Sequence, residues 1–433
     1  MTTAMTTATT TATTCGCPEF GSSLRSTRRG FLKGAAATAG AGVLASTVGD
    51  AFTQVSFGAP GDTNVLVVLS MRGGADGLSL VVPHSDRGYA AARPKIAVPT
   101  PTLLARDSTF GLHPSLAPLL PMWNAGTFGA VHAVGLPQPN RSHFTAMEVV
   151  EDADPGSPER RGWINRMIGQ IGTAAPQDAV QLGSGIVPTS LYGPSPVLGL
   201  RQLKNLDLPG PDDAESRRLR RVAYDMVWGG AKGALGRGAQ AALTTTDRIG
   251  FLGTLDPTPQ HGAQYPAGDL GHTLTETAAL IRAKVGARVI AVDYGDWDMH
   301  TQLGTVEWGA MQSNARELAQ ALNAFFTDLG GLVSSVTVVT ISEFGRRLQE
   351  NGSAGLDHGY GSCMFVLGAG VRGGKVHGRW PGLAGSALVE GDLAVRQDYR
   401  SVLTEVVRSR FPDVNSSQVF PNFIPETLGV MTA

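Results

Sequence analysis

Five continuous apolar runs, rich in Val and Leu and each about as long as a strand, set the pattern of this chain. Polar residues do not alternate with apolar ones inside these runs, which is typical of strands buried on both faces of a sheet. The runs cover residues 64–71, 128–134, 287–292, 335–341 and 363–367.

Helical patterns fill most of the intervals between these runs, at residues 114–124, 142–152, 215–228, 270–285, 305–329 and 397–410. Strands that alternate with helices predict an α/β fold, with a mostly parallel sheet and helices on both faces. Residues 176–266 depart from this pattern because they are rich in Gly, Pro and Ser and carry a charged patch at 212–221. We expect one domain over residues 52–433, with 176–266 as a cap or insertion on the sheet.

Polar side chains follow four of the predicted strands. Because the carboxyl ends of parallel strands meet at one edge of a sheet, where ligands bind, these residues are expected to converge. In chain order they are Asp76, Arg141, Ser142, Asp298, His300, Glu343, Arg346, Asp357 and His358.

The acidic and imidazole side chains of this set suit a divalent metal. Carboxylates prefer hard cations, and Asp combined with His suits zinc, manganese or iron. Carboxylates forced together would repel one another unless a cation neutralised them. The alternative for each acid is a turn cap or a buried, paired carboxylate.

Ser142 precedes a predicted helix, where its ordinary role is an N-cap. Beside a metal, the same position would favour an activated hydroxyl nucleophile. Arg141 and Arg346 are candidates for binding an anionic ester, since guanidinium matches oxyanions bidentately. The alternative for each arginine is an ordinary salt bridge.

The N-terminal segment, residues 1–51, predicts an export signal. A Thr- and Ala-rich start is followed by Arg28 and Arg29 in the run TRRGFLK, and then by a short, weakly apolar stretch. Paired arginines before such a stretch are typical of twin-arginine signals, and the stretch is too short for a retained membrane span. We expect cleavage near Ala45 or Ala51, a twin-arginine translocase as the export partner, and a periplasmic or extracellular destination. The alternative is a basic linker before an ordinary helix.

The overall charge limits the kinds of partner that are expected, and the cysteine content limits the disulfides that are expected. The formal net charge of −1 gives no indication of nucleic acid or of an anionic membrane as a partner. Cys15 and Cys17 precede the paired arginines and would leave with the signal. Cys363 alone would remain, so no disulfide is expected within the mature chain.

The chain carries five ordered motifs: RGGADG at 72–77, RSHF at 141–144, WDMH at 297–300, SEFGR at 342–346 and DHG at 357–359. Together they resemble the motifs of domain-of-unknown-function family 1501, whose members are exported by the twin-arginine route and are placed in the alkaline phosphatase and sulfatase clan. The resemblance covers essentially the mature chain and implies an alkaline-phosphatase-like α/β core.

By this resemblance, Asp76 corresponds to the first metal ligand and Ser142 to the nucleophile. Asp298 with His300, and Glu343 with Asp357 and His358, correspond to the remaining metal ligands. The implied function is metal-dependent hydrolysis of phosphate or sulfate esters with Zn, Mn, Ca or Mg. Phe344 stands where the clan usually has a histidine, so the alternative is a non-catalytic exported binding or assembly protein with a degenerate metal site.

Overall fold

The computed structural model describes residues 64–432, except 172–174, 207–209 and 212. The export signal predicted for residues 1–51 lies outside the described residues. In the described part of the chain, no helix has both the length and the apolar composition needed to cross a bilayer.

The five predicted strands form close to the predicted intervals, and helical segments occupy most of each predicted helical interval; the structure adds further short strands and the helix at 233–249. The strands are β1 Val65–Met71, β2 Val81–Val82, β3 Gly111–Leu112, β4 Phe128–Gly135, β5 Ala179–Leu182, β6 Leu198–Leu200, β7 Val289–Tyr294, β8 Val336–Ile341, β9 Ser362–Gly368, β10 Val376–His377 and β11 Gln397–Asp398. The α-helices are α1 Gly77–Leu80, α2 Arg87–Ala92, α3 Leu120–Asn124, α4 His143–Asp152, α5 Trp163–Ile168, α6 Ala214–Trp228, α7 Gly233–Ile249, α8 Asp269–Arg282, α9 Ala310–Leu329, α10 Tyr399–Arg410 and α11 Ser416–Val419. Short 3₁₀ helices occupy Thr100–Thr102, Pro114–Leu119, Pro176–Asp178, Thr189–Leu191, Leu203–Leu206, Gly250–Thr254, Gly330–Ser335 and Gly385–Ala387.

The main sheet is mostly parallel, as predicted. Its strands follow the order β10-β4-β9-β8-β1-β7-β5-β6, and β11 also pairs with β4. β9 alone runs antiparallel to its neighbours β4 and β8. The strands β4, β8, β1 and β7 therefore all end at the same edge, and the loop from β8 into β9 lies at that edge as well.

Helices cover both faces of the sheet, which confirms the α/β prediction. Alternate residues of β1 enter two separate apolar clusters because successive side chains of a strand point to opposite faces. Val67 and Leu69 pack into a cluster that includes α8 and α9. Leu66 and Val68 pack into another that includes α4, α5 and α10.

The interval 176–266 divides between the sheet and the region outside it. β5 and β6 pair in parallel with each other, and β5 pairs with β7, so this first part extends the main sheet. The two helices α6 and α7 follow outside the sheet, and no residue of α6 is buried. The sequence missed the two strands because they are only four and three residues long.

Candidate metal centre

Four side-chain atoms meet beyond the ends of β4, β7 and β8. The Nε2 atoms of His143 and His358 are 2.9 Å apart, and Asp298 Oδ1 lies 3.4 Å and 3.3 Å from them. His300 Nε2 lies 2.9 Å from His358 Nε2 and 3.0 Å from Asp298 Oδ1. Donors held at 2.0–2.1 Å around a tetrahedral ion are separated by roughly 3.3 Å. The spacing of the His143, Asp298 and His358 donors fits one small divalent cation, as expected for a metal-binding group.

Each imidazole is held from behind by an acceptor. Nδ1 of His143 contacts Glu343 Oε1 at 2.7 Å, Nδ1 of His300 contacts Asp357 Oδ1 at 3.0 Å, and Nδ1 of His358 contacts the carbonyl oxygen of Arg141 at 2.8 Å. These oxygens can only accept from the rings, so we assign the hydrogen to Nδ1 in each neutral imidazole. The Nε2 lone pairs then face the common centre, which is the arrangement found behind metal-binding histidines.

The electrostatics of the cluster favour positive charge at its centre. Burial alone would lower the pKa of His143, but Asp298 and Glu343 outweigh burial and raise that pKa to about 9. Burial alone would raise the pKa of Asp298, but hydrogen bonds from His143 and His358 and the charge of Arg346 bring it well below its usual range. A bound metal ion would take the place of the proton on His143.

Glu343 and Asp357 support imidazoles instead of facing the centre. Glu343 is buried, and its Oε1 also accepts a hydrogen bond from the Gly73 N–H at 2.9 Å. Asp357 is exposed and also accepts from Asn351 at 3.0 Å. Both carboxylates therefore lie in the site that the sequence predicts, one step behind the atoms that converge.

Close backbone packing positions Asp298. Gly73, at the end of β1, has φ +116°, and a Cβ placed there would lie 2.5 Å from the backbone nitrogen of Asp298. Only glycine adopts this conformation readily and admits such an approach. The glycine at the end of β1 thus lets the loop after β7 reach the cluster.

Arg346 is buried and binds the protein itself. Its Nε donates to the Gly74 carbonyl at 2.7 Å, its Nη1 to the Leu356 carbonyl at 3.0 Å, and its Nη2 to Asp298 Oδ1 at 2.6 Å. Nη2 also contacts the carbonyls of Gly73 and Trp297. This guanidinium orients Asp298 and has no donor turned to solvent, so the anion-binding role expected for Arg346 does not match its position.

Asp76 lies outside the cluster. Its two carboxylate oxygens bind Arg93 at 2.5 Å and 3.0 Å, and Oδ2 also caps α1 through the Ser79 N–H at 3.0 Å. Both side chains of this ion pair are buried. Asp76 was expected among the ligands because it follows the first strand, but the pairing with Arg93, 17 residues further along the chain, is not visible in the sequence pattern.

Ser142 and Arg141 border the cluster. Ser142 is the N-cap residue of α4; its hydroxyl makes no capping bond, and the residue is exposed directly before His143. Arg141 donates to Glu390 at 2.7 Å and to Asp392 at 2.5 Å, while its carbonyl binds His358. The N-cap bond weighed as the alternative for Ser142 is thus not formed, and Arg141 does form salt bridges.

His143 is the member of the cluster that sequence reasoning missed. It lies in the motif RSHF, directly after the candidate nucleophile Ser142, and it is the first residue of α4. A histidine following a strand end, beside a candidate nucleophile, was the signal available.

A family model described as "Protein of unknown function (DUF1501)" matches residues 263–403. The matched span contains Asp298, His300, Glu343, Asp357 and His358, and it supports the family expected from the motifs. His143 lies before the span. No curated protein matches the sequence.

Solved structures that resemble the chain are distant in sequence. The C-terminal periplasmic domain of EcEptC from Escherichia coli, solved in complex with Zn, is 11% identical, with 71% of this chain and 74% of that chain covered and a TM-score of 0.31. The lipoteichoic acid synthase LtaP from Listeria monocytogenes is 9% identical, with 77% and 73% covered and a TM-score of 0.32. The PsFucS1 sulfatase from Pseudoalteromonas sp. is 11% identical, with 86% and 74% covered and a TM-score of 0.34. At these identities and TM-scores the likeness does not indicate the chemistry of the site, which depends on the side chains present in this chain.

Proposed function

We propose that this protein is an exported, metal-dependent hydrolase of phosphate or sulfate esters. One observation carries the proposal: three imidazole Nε2 atoms and Asp298 Oδ1 converge at 2.9–3.4 Å while each imidazole Nδ1 is held by an oxygen acceptor. Such an arrangement is costly without a positive charge between the donors. His143, His358 and Asp298, with His300 beside them, are the residues that would hold the cation.

When bound, a divalent cation supplies Lewis-acid polarisation of an ester oxygen. Ser142 is the candidate nucleophile because its exposed hydroxyl stands at the start of the ten-residue helix α4. The N-terminus of a helix favours negative charge, which develops on a hydroxyl oxygen as it loses its proton. Direct attack by water is the alternative for this step.

Arg141 is the candidate for holding the anionic ester. Its partner Glu390 is 60% exposed, and ion pairs with a solvent-exposed partner contribute little free energy. The guanidinium can therefore exchange Glu390 for a substrate oxyanion while Asp392, which is fully buried, keeps hold of its other nitrogen. We propose a positioning role for Arg346, through Asp298, and a structural role for Asp76, through Arg93.

The test starts from the mature chain, residues 52–433, loaded separately with Zn, Mn, Ca and Mg. Metal content is measured by mass spectrometry, and turnover is measured on aryl phosphates and aryl sulfates. His358→Ala is expected to weaken metal binding by about a hundredfold or more, since it removes a ligand. The matched control is His84→Ala, because the His84 ring hydrogen-bonds to the Asp107 carbonyl, at 3.0 Å, and is not a member of the cluster.

Ser142→Ala separates the two candidate nucleophiles. If Ser142 attacks the ester, the variant keeps its metal and loses turnover, whereas retained turnover assigns the attack to water. A wild-type chain that holds no metal and turns over no ester with any of the four ions would refute the hydrolase.

A second candidate, an exported binding or assembly protein, is favoured by two features of the same site. The Arg346 guanidinium lies 2.6 Å from Asp298 Oδ1 and already neutralises it in part. The Phe344 ring lies against His143 and His358, with centroids 4.8 Å and 4.9 Å apart. If Asp298→Ala and His300→Ala leave metal content and melting temperature unchanged, the cluster has no metal function and this candidate is favoured.

A further inference from the structure

Asp392 is a fully buried carboxylate at the border of the metal centre. Its Oδ2 accepts a hydrogen bond from Arg141 Nη2 at 2.5 Å, and none of its side chain is exposed. Glu390 binds the same guanidinium at 2.7 Å, but that carboxylate is largely exposed. An acid is almost never buried completely unless it is paired, so the contact with Asp392 is the one that fixes Arg141.

The turn that carries Asp392 is anchored to the loop between β8 and β9. Val389 and Asp392 exchange backbone hydrogen bonds of 2.9 Å and 3.0 Å, which close the turn. The next residue, Leu393, is buried, and its carbonyl accepts a hydrogen bond from the Gly361 N–H at 2.9 Å. A Cβ on Gly361 would lie 2.7 Å from that carbonyl oxygen, so the two segments are in close contact. The turn is therefore packed against the loop that also carries His358.

The connection from β4 to α4 depends on such an anchor. Residues 136–142 form neither helix nor strand, and Pro137 and Gln138 are exposed. Arg141 lies in this connection, and its carbonyl oxygen is the acceptor that holds Nδ1 of His358, at 2.8 Å. Because the carbonyl and the guanidinium belong to one residue, a buried contact to the guanidinium also restrains the carbonyl.

We propose that Asp392 is a positioning residue of the metal centre. It holds Arg141, and the Arg141 carbonyl keeps the proton of His358 on Nδ1 and the Nε2 lone pair towards the cation. Acceptors behind metal-binding histidines fix the tautomer and the orientation of the ring in this way. The inference rests on the proposed metal-dependent function. The same contact would keep Arg141 in place when an anionic ester takes the position of Glu390.

The first experiment measures the zinc affinity of the mature chain by isothermal titration. Asp392→Ala is expected to weaken zinc binding by about tenfold, as for the loss of a group that orients a ligand. Asp392→Asn keeps the shape but not the charge and should weaken it by about threefold. Glu390→Gln is the matched control because it removes the exposed carboxylate of the same guanidinium, and it should stay within about twofold of the wild type.

The double variant shows whether Asp392 acts through Arg141. Adding Asp392→Ala to Arg141→Ala should cause no further loss of zinc affinity, because the contact is already absent. Losses that add would place the action of Asp392 elsewhere and overturn the proposal. It is equally overturned if Asp392→Ala binds zinc as tightly as the wild type, or if Glu390→Gln loses as much. Urea unfolding checks that each variant folds, and Asp392→Asn decides if Asp392→Ala does not.

The metal-free protein separates this proposal from the proposed function. Nitrogen-15 spectra of the histidine rings show which ring nitrogen carries the proton, and the spectrum of His358→Ala assigns the signals of His358. We expect the proton on Nδ1 in the wild type and on both nitrogens in turn in Asp392→Ala. A wild-type chain that binds none of the four ions refutes the hydrolase and leaves these spectra to decide the role of Asp392. An unchanged proton position in Asp392→Ala would then overturn it.

Discussion

Replacing Asp76 tests whether this carboxylate stabilises the fold or binds the metal. Asp76→Ala leaves the Arg93 guanidinium without its counter-charge at a position where the exposed fractions of the two side chains are 0% and 2%. Arg93 would keep its bonds to the Leu348 and Arg347 carbonyls, at 2.9 Å and 3.0 Å, but these are neutral acceptors.

The expected loss of unfolding free energy follows from the burial of the Asp76–Arg93 ion pair. Removing one partner of a buried ion pair costs about 3 to 5 kcal/mol because an uncompensated charge remains. The lost N-cap of α1 adds about 1 kcal/mol at most, since α1 has only four residues. Glu426→Ala is the matched control: its pair with Arg379 is exposed, and the expected loss is under about 1 kcal/mol.

The assay combines urea unfolding, followed by tryptophan fluorescence, with metal content of the folded protein. Burial alone would raise the pKa of Asp76, but Arg93 outweighs burial and lowers it. The stabilisation is therefore present above the unfolded-state pKa of about 3.9 and is lost as pH falls through the lower folded-state value. A variant that unfolds at the wild-type urea concentration but has lost its metal would refute the structural role and restore Asp76 as a ligand.

Two further predictions concern the surroundings of the centre, and a third concerns Asp178, which lies directly before β5 at the other end of the strands. Gly73→Ala is expected to displace Asp298 and so to weaken metal binding by about tenfold or more, as measured by isothermal titration. Gly286→Ala, also at positive φ but with open space around it, should cost only about 1 kcal/mol of strain, as measured by urea unfolding. Arg346→Lys leaves buried carbonyls without donors and should destabilise the fold by about 2 kcal/mol or more in urea, and an unchanged midpoint would contradict this. Burial raises the pKa of Asp178 to about 6. Above that pH the carboxylate is charged, and its burial lowers the stability of the fold. Asp178→Asn should therefore stabilise the protein by about 1 kcal/mol at pH 8, after allowance for solvent screening, and by little at pH 4.

The sequence by itself determined the α/β architecture. Each of the five apolar runs became a strand of the main sheet, since uninterrupted Val and Leu can only be accommodated where both faces are covered. The strand ends also indicated which segments meet, because parallel strands deliver their carboxyl ends to one edge. Asp298, His300, Glu343, Asp357 and His358 are brought together for this reason.

Only the tertiary structure decided what each polar residue does at that edge. Two acids of equal chemistry, Asp76 and Asp298, differ because Arg93 reaches the first from a separate helix end, while imidazoles surround the second. The Glu343 carboxylate contacts Nδ1 of His143, on the side of the ring away from the shared centre, so it supports the imidazole instead of facing the centre. Such choices depend on contacts between separate segments of the chain, which local patterns do not encode.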